Sequence, residues 1–257
     1  MNCKTGKINE IKSLRKALVV LDLFISHKEL SVTEVSNLTN IYKSNAFSIL
    51  STFTAMGYLK KDETTDKCSL GIGAYRLGRS TAGMFFSESN VVPILQELSD
   101  IVSESVVLSV PMNGEVVYIA GTYPNIPNFN GRPYFVGSKA PMYCTSSGKA
   151  MLAFMTEEER KSILSGDLVK MTEFTITDIN ELEKQFELIR KNGYATDHME
   201  CVMNLSCVAA PLLDSNGKST YSLSITGPSL RIEENTRNYI HALLKAKEKL
   251  TKVLNRC

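Results

Sequence analysis

Residues 31–59 read S-V-T-E-V-S-N-L-T-N-I-Y-K-S-N-A-F-S-I-L-S-T-F-T-A-M-G-Y-L. Ser31 followed by Glu34 forms a capping box, which predicts a helix that begins directly after Ser31. A tight connection then leads into a second helical pattern over about 42–56, and Gly57 ends it because glycine suits the left-handed position beyond a helix. Two helices joined by so short a connection are typical of a helix-turn-helix.

The segments on either side extend this motif. Residues 12–26 have apolar side chains at helical spacing on one face, so they predict an earlier helix. After Gly57 the period changes, and 58–60 and 68–70 are predicted to pair as two short strands around a polar turn. Three helices followed by a two-stranded hairpin are the outline of a winged helix-turn-helix, which we predict for residues 1–70.

The outward face of the third helix is suited to DNA because it carries no acidic residue. A helix in the major groove must avoid like charge with the phosphates and offer small hydrogen-bonding groups to base edges. Residues 1–70 carry ten Lys and Arg against seven Asp and Glu, whereas the remaining 187 residues carry 19 against 20. The predicted DNA-contacting residues are Lys43, Ser44, Asn45, Phe47, Ser48 and Ser51 on the helix, with Lys60 and Lys61 on the wing. The alternative is a three-helix protein-interaction module.

Length and composition are typical of a globular protein with two domains, and one large domain is the alternative. The chain has 257 residues, of which 43% are hydrophobic and 22% charged. It has no apolar run of the roughly 18 residues that cross a bilayer, and no apolar signal core at its start. Its six cysteines include no C-x-x-C pair, which indicates free thiols in a reducing compartment. We therefore expect a cytoplasmic protein without a membrane partner.

The rest of the chain predicts a linker and a second domain. Residues 71–90 are interpreted as a linker helix, with a flexible linker as the alternative. From residue 91 to 257 helices alternate with hairpins, and Asn113-Gly114 is a strong hairpin signal. Strands in hairpins with helices on the sheet indicate an α+β, sensor-like domain.

Short motifs recur in a fixed order along nearly the whole chain. In the first domain they are R-K-A-L-V-V-L-D-L-F at 15–24, L-S-V-T-E-V-S at 30–36, M-G-Y-L at 56–59 and S-L-G at 69–71. In the second they are P-M-Y-C-T-S-S-G-K-A-M-L-A-F at 141–154, N-G-Y-A-T-D at 192–197, S-C-V-A-A-P-L-L-D at 206–214 and S-I-T-G-P at 224–228. With these motifs the chain resembles the IclR family of bacterial and archaeal transcriptional regulators. The resemblance implies a GAF/PAS-like effector-binding domain, a homodimer or homotetramer on double-stranded operator DNA, no cofactor and no enzymatic activity.

The resemblance also implies an effector site for a small organic acid. Carried over by position, its residues are Ser146, Ser147, Asp197, Cys207, Ser224 and Thr226. Backbone N–H groups at the helix start beside Ser146 and Ser147 suit an anion. Ser224 and Thr226 lie two apart on a strand and so point the same way. Such a site favours a keto, hydroxy or sugar acid.

Two enzyme-like interpretations of the same stretch lack their partners. Ser146 and Lys149 have the spacing of a serine nucleophile with a lysine base, but no S-D-N or K-T-G motif accompanies them. We expect Lys149 to reach solvent from the first helical turn. Gly148-Lys149 matches the end of a phosphate loop, but Tyr143 and Ala150 occupy the positions that need glycine and Ser or Thr.

A metal site is the remaining alternative. His198 and Cys201 could bind zinc if Cys144 or Cys207 lay nearby in the folded domain. The simpler interpretation is that both are solvent-exposed loop residues, and we predict no metal.

Overall fold

The computed structural model describes residues 10–81, 88–124 and 134–254. The chain divides into two compact units, with the division between residues 85 and 86. Each unit has a hydrophobic core of its own. Helix and sheet are mixed in both, which confirms the predicted α+β class.

The first unit is a winged helix-turn-helix, as predicted. Its elements are α1 (Lys12–Ser26), α2 (Val32–Thr39), α3 (Lys43–Ala55), β1 (Leu59–Lys61), β2 (Cys68–Leu70) and α4 (Ile72–Ser80). The capping box at Ser31 is present: Glu34 N–H donates to Ser31 Oγ over 3.3 Å, and Ser31 N–H donates to the Glu34 carboxylate over 2.7 Å. Asn40 has a φ of 53° and ends α2 in the left-handed conformation, which turns the chain into α3.

The helix predicted across 71–90 is shorter than expected. α4 ends at Ser80, where the Thr81 N–H bonds to the Gly78 carbonyl and tightens the last turn. Residues 88–90 already belong to the next helix, and residues 82–87 lie outside the described part of the chain. Glycine at position 78 weakens the helix near this end.

The second unit contains a six-stranded antiparallel sheet in the order β5-β4-β3-β8-β7-β6. Its elements are α5 (Glu88–Val102), β3 (Ser105–Met112), β4 (Glu115–Thr122), β5 (Lys139–Pro141), α6 (Ser146–Leu152), α7 (Glu157–Leu164), α8 (Ile179–Asn192), β6 (Ala195–His198), β7 (Leu205–Leu213), β8 (Ser219–Pro228) and α9 (Ser229–Leu254). Asn113 and Gly114 have φ values of 52° and 82°, so the predicted β3–β4 hairpin turns with both central residues left-handed.

The two faces of this sheet have different roles. One face carries aliphatic side chains such as Val208, Leu223 and Ile225, which pack in a core with α5 and α9. The opposite face carries smaller and more polar side chains and packs against α6. Because alternate residues of a strand point to opposite faces, Ser224 and Thr226 lie on the α6 side. The candidate site therefore lies between the sheet and α6.

In the parts of the chain that the structure describes, no helix is both long and apolar enough to span a bilayer.

Candidate functional site

The outward side chains of α3 are all accessible to a partner. The six predicted contact residues on this helix are exposed, namely Lys43, Ser44, Asn45, Phe47, Ser48 and Ser51. Phe47 is 59% exposed and so is available to a partner surface. The Ser48 hydroxyl donates to the Ser44 carbonyl over 3.0 Å, so its oxygen remains available as an acceptor.

The two wing lysines differ in their surroundings. Lys60 and Lys61 are both exposed at the end of β1. Lys61 Nζ lies 2.6 Å from the Asp66 carboxylate in the turn of the wing. A phosphate would have to compete with Asp66 for the ammonium of Lys61, so Lys60 is the better placed of the two for a DNA contact.

The sheet register brings three of the six predicted effector residues into one row. Asp197 of β6 lies opposite Cys207 of β7, and Cys207 lies opposite Thr226 of β8. Thr226 Oγ1 donates to Cys207 Sγ over 3.3 Å. Burial raises the pKa of the Cys207 thiol well above its usual value, so it is a neutral wall of the site. Ser224 is buried one step along β8 on the same face.

The first turn of α6 lies directly over this row. Ser146 lies close enough to the Cys207 thiol to lower its pKa slightly, and Ser147 follows it; both serines are buried. Thr145 is the N-cap, and its Oγ1 accepts from Gly148 N–H over 3.1 Å. A Cβ on Gly148 would lie 2.2 Å from the Met142 backbone. Only glycine lets the helix approach so closely, and this approach fixes the height of the two serines.

Asp197 is the most perturbed acid of the site. Its side chain is buried, and its Oδ1 accepts from Glu200 N–H over 2.7 Å. Burial raises the pKa of Asp197 to about 8; the nearby Lys149 ammonium opposes this shift and the Glu200 carboxylate adds to it. At neutral pH this carboxyl group is therefore mostly protonated and can donate as well as accept a hydrogen bond.

The prediction that Lys149 reaches solvent is wrong. The residue is 1% exposed, and its Nζ donates to Glu200 Oε1 over 2.6 Å and to Gln185 Oε1 over 2.9 Å. Every residue of α6 is buried, so the helix offers Lys149 no route to water. The ammonium is held by the carboxylate of Glu200 and not by the Ser146 hydroxyl, so the geometry of a serine–lysine dyad is not formed.

Sequence reasoning missed Glu200 and Gln185, and it missed an aromatic wall as well. The rings of Tyr118 and Tyr134 lie 5.1 Å apart in the same core as Cys207, and burial raises the pKa of both hydroxyls. The alternation of V-V-Y-I-A along β4 could have placed Tyr118 on an inward face. No comparable signal exists for Glu200, which lies in the loop between β6 and β7.

The candidate metal ligands do not form a metal-binding group. Within residues 10–81, 88–124 and 134–254, no group of three or more His, Cys, Asp or Glu side chains is placed to hold a metal ion. The His198 side chain is exposed and lies 3.4 Å from Glu233. Cys201 is buried close to Cys144, and the interaction of the two thiols raises the pKa of Cys144 and lowers that of Cys201.

Three known proteins illustrate what the chain is similar to. The HTH-type transcriptional regulator KdgR of Escherichia coli is 30% identical over 247 residues, 95% of this chain and 92% of the relative. The crystal structure of Thermotoga maritima IclR matches with a TM-score of 0.72 at 27% identity, over 96% of this chain and 100% of the other. An IclR homologue from Microbacterium hydrocarbonoxydans, complexed with 4-hydroxybenzoate, matches with a TM-score of 0.80 at 19% identity, over 95% of this chain and 100% of the other.

Two family models cover both units. The IclR helix-turn-helix domain matches residues 13–63, and the bacterial transcriptional regulator IclR C-terminal domain matches residues 88–252. The second match alone spans more than half of the chain and contains every residue of the candidate effector site. Together with the winged helix-turn-helix and the buried site on the sheet, these matches establish that the chain belongs to the IclR family of transcriptional regulators.

Proposed function

We propose that this regulator binds an operator in the cytoplasm as a homodimer or homotetramer, and that a small keto, hydroxy or sugar acid controls that binding. Residues 1–70 would bind the DNA, 71–90 would connect the units, and 91–257 would bind the effector. The single observation that carries the effector proposal is the burial of four hydroxyl-bearing residues, Ser146, Ser147, Ser224 and Thr226, together with Asp197, which shares a sheet row with Thr226.

The chemistry of these buried groups favours an acid with an additional oxygen group. Buried hydroxyls need hydrogen-bond partners, and a carboxylate offers several strong acceptor sites. The Cys207 thiol adds a weak donor suited to a keto or hydroxyl oxygen. The Microbacterium homologue holds 4-hydroxybenzoate, a carboxylic acid that also bears a hydroxyl group.

The DNA contacts are proposed for α3 and the wing. In a dimer, two α3 helices would enter successive major grooves of a roughly palindromic operator. Lys43 and Lys60 would contact phosphates, while Ser44, Asn45, Ser48 and Ser51 would face base edges. Phe47 is exposed at the same surface and suits a thymine methyl group.

Control of DNA binding requires the acid to favour one arrangement of the subunits. Its effect on operator affinity then equals its differential affinity for the two arrangements. A serine hydrolase is the second candidate for this site, and the ion pair of Lys149 with Glu200 argues against it. Stoichiometric labelling of Ser146 by a serine-directed phosphonate probe would favour the hydrolase instead.

A thermal-shift panel of pyruvate, lactate, D-gluconate and 4-hydroxybenzoate tests the effector proposal, because a ligand of the folded state raises the melting temperature.

Two variants test whether DNA binding and acid binding use separate sites. Lys43→Ala should weaken operator binding and lower its salt dependence while leaving acid binding intact. Asp197→Ala should do the reverse, and Lys28→Ala, at an exposed lysine before α2, is the matched control. If both test variants stay folded and lose both activities, the two-site proposal is wrong.

A further inference from the structure

Among the described residues, the charged groups that act most strongly on Asp197 are the ammonium of Lys149 and the carboxylate of Glu200. Lys149, Asp197 and Glu200 are 1%, 2% and 4% exposed. Lys149 and Glu200 form an ion pair of 2.6 Å, and the remaining contact of the ammonium is to the neutral Gln185. The positive charge of Lys149 is therefore already neutralised by Glu200, and Asp197 has no cation of its own among these groups.

The surroundings of Asp197 contain no second cation among the described residues that interact with it. The titratable groups that face it are Tyr118 of β4, Tyr134 before β5, Cys144 before α6, Lys149 of α6, Glu200 and Cys201 of the β6–β7 loop, and Cys207 of β7. Each of these groups except Lys149 is either neutral or negatively charged, so none of the others can act as a counter-ion for Asp197. An ionised Asp197 would thus be a buried charge without a counter-ion, which is costly.

A carboxylate ligand makes this imbalance worse. Two carboxylates that share a buried site cannot both stay ionised and instead hold one proton between them. Oδ1 of Asp197 already accepts from the Glu200 N–H over 2.7 Å, so Oδ2 is the oxygen left to carry a proton. An O–H group that donates to a carboxylate forms a short, charge-assisted hydrogen bond.

We propose that the effector domain binds its acid together with one proton, and that Asp197 carries this proton and donates it in a hydrogen bond to the ligand carboxylate. The inference rests on the proposed function, namely that the effector is an acid. It adds that Asp197 is a donor to the ligand and that alkaline pH releases the ligand.

The direction of the pH dependence follows from the raised pKa of Asp197, about 8 in the free protein. Below that pH the proton is already present, so affinity for the acid should be nearly constant. Above it, affinity should fall by about tenfold per pH unit, until the pKa of the complex is reached. Proton uptake on binding should rise from about zero near pH 6 to about 0.9 near pH 9.

Titration calorimetry measures this uptake directly. The probes are pyruvate, D-gluconate and 4-hydroxybenzoate, each titrated into the full-length protein near pH 6 and near pH 9 in two buffers of different ionisation enthalpy. Asp197→Asn replaces the O–H donor with an N–H donor that does not titrate. It should bind the acid with an affinity that does not change between the two pH values. Ser224→Ala is the matched control, because it should weaken binding equally at both.

The outcomes separate the two proposals. If none of the three acids binds at either pH, the acid-effector function is wrong and the inference falls with it. If an acid binds to the unmodified protein near pH 9 without proton uptake, the function stands and the inference is overturned. The inference is also overturned if folded Asp197→Asn keeps the pH dependence, which would assign the proton to another group, or fails to bind at both pH values, which would make Asp197 an acceptor. The melting temperature and operator binding of the variant report its folding.

Discussion

Replacing Lys149 with methionine should be among the most damaging single changes in the second unit. The ion pair with Glu200 spans 2.6 Å, and its side chains are 1% and 6% exposed. Removing one partner of a buried pair leaves the other charge uncompensated and costs about 3–5 kcal/mol. Methionine keeps most of the side-chain length, so packing changes little and the loss reports the charge.

The stability cost of Lys149→Met should be compared with the cost of the same substitution in an exposed Lys–Glu ion pair. Lys161 and Glu157 form an ion pair of 2.5 Å on α7, with side chains that are 72% and 68% exposed. Lys161→Met should cost much less than Lys149→Met, because solvent screens exposed ion pairs. The difference in cost between these two identical substitutions would therefore come from burial.

Urea unfolding gives both values. The chain has no tryptophan, so far-ultraviolet circular dichroism is the signal, and hydrogen exchange of α6 peptides assigns the loss to the second unit. The double variant Lys149→Met with Glu200→Gln removes both charges and should recover most of the stability, with a coupling energy of about 2–3 kcal/mol. A cost below about 1 kcal/mol for Lys149→Met, or a double variant as unstable as the sum of its parts, refutes the reasoning.

Three further changes test other parts of the structure. Asp197→Asn should stabilise the protein increasingly as pH rises from about 4 to 8, because the raised pKa of Asp197 makes the native state lose up to about 1.4 kcal/mol per pH unit in that window; melting temperatures at several pH values check this, and a constant difference contradicts it. Gly148→Ala should destabilise the protein by more than about 1 kcal/mol, since the new Cβ meets the Met142 backbone, whereas Gly166→Ala, with open space around it, should not; urea titrations of both variants compare them. Ser31→Ala should cost about 1 kcal/mol through loss of the α2 cap, measured in the same way, and a loss near zero would mean that the capping box contributes nothing.

Local signals in the sequence predicted much of the fold. The Asn113-Gly114 hairpin, the Ser31 capping box and the end of α3 before Gly57 each depend on a few neighbouring residues, and all three are present. The predicted length of the linker helix was wrong, because the end of α4 depends on small differences in helix propensity near Gly78. Alternation along β8 correctly assigned Ser224 and Thr226 to one face.

The environment of α6 was harder to predict because it is set by tertiary packing. In S-S-G-K-A-M-L only Lys149 is charged, and a helix without a polar face is buried on all sides. That pattern could be recognised in the sequence. The buried partner of Lys149 could not, because Glu200 lies 51 residues further along the chain in an irregular loop. Long-range ion pairs leave no periodic trace in a single sequence, so the protonation state of Asp197 was beyond reach as well.

Along strand β8, the side chains proposed to contact the effector alternate with side chains of the core. Leu223 and Ile225 lie in the core with α5 and α9, while Ser224 and Thr226 face α6. If the proposed site is correct, exchanges at 224 and 226 among small side chains would change which molecule the domain senses while leaving the opposite core untouched. A strand built in this way lets a regulator acquire a new signal through one or two substitutions, without first having to become more stable.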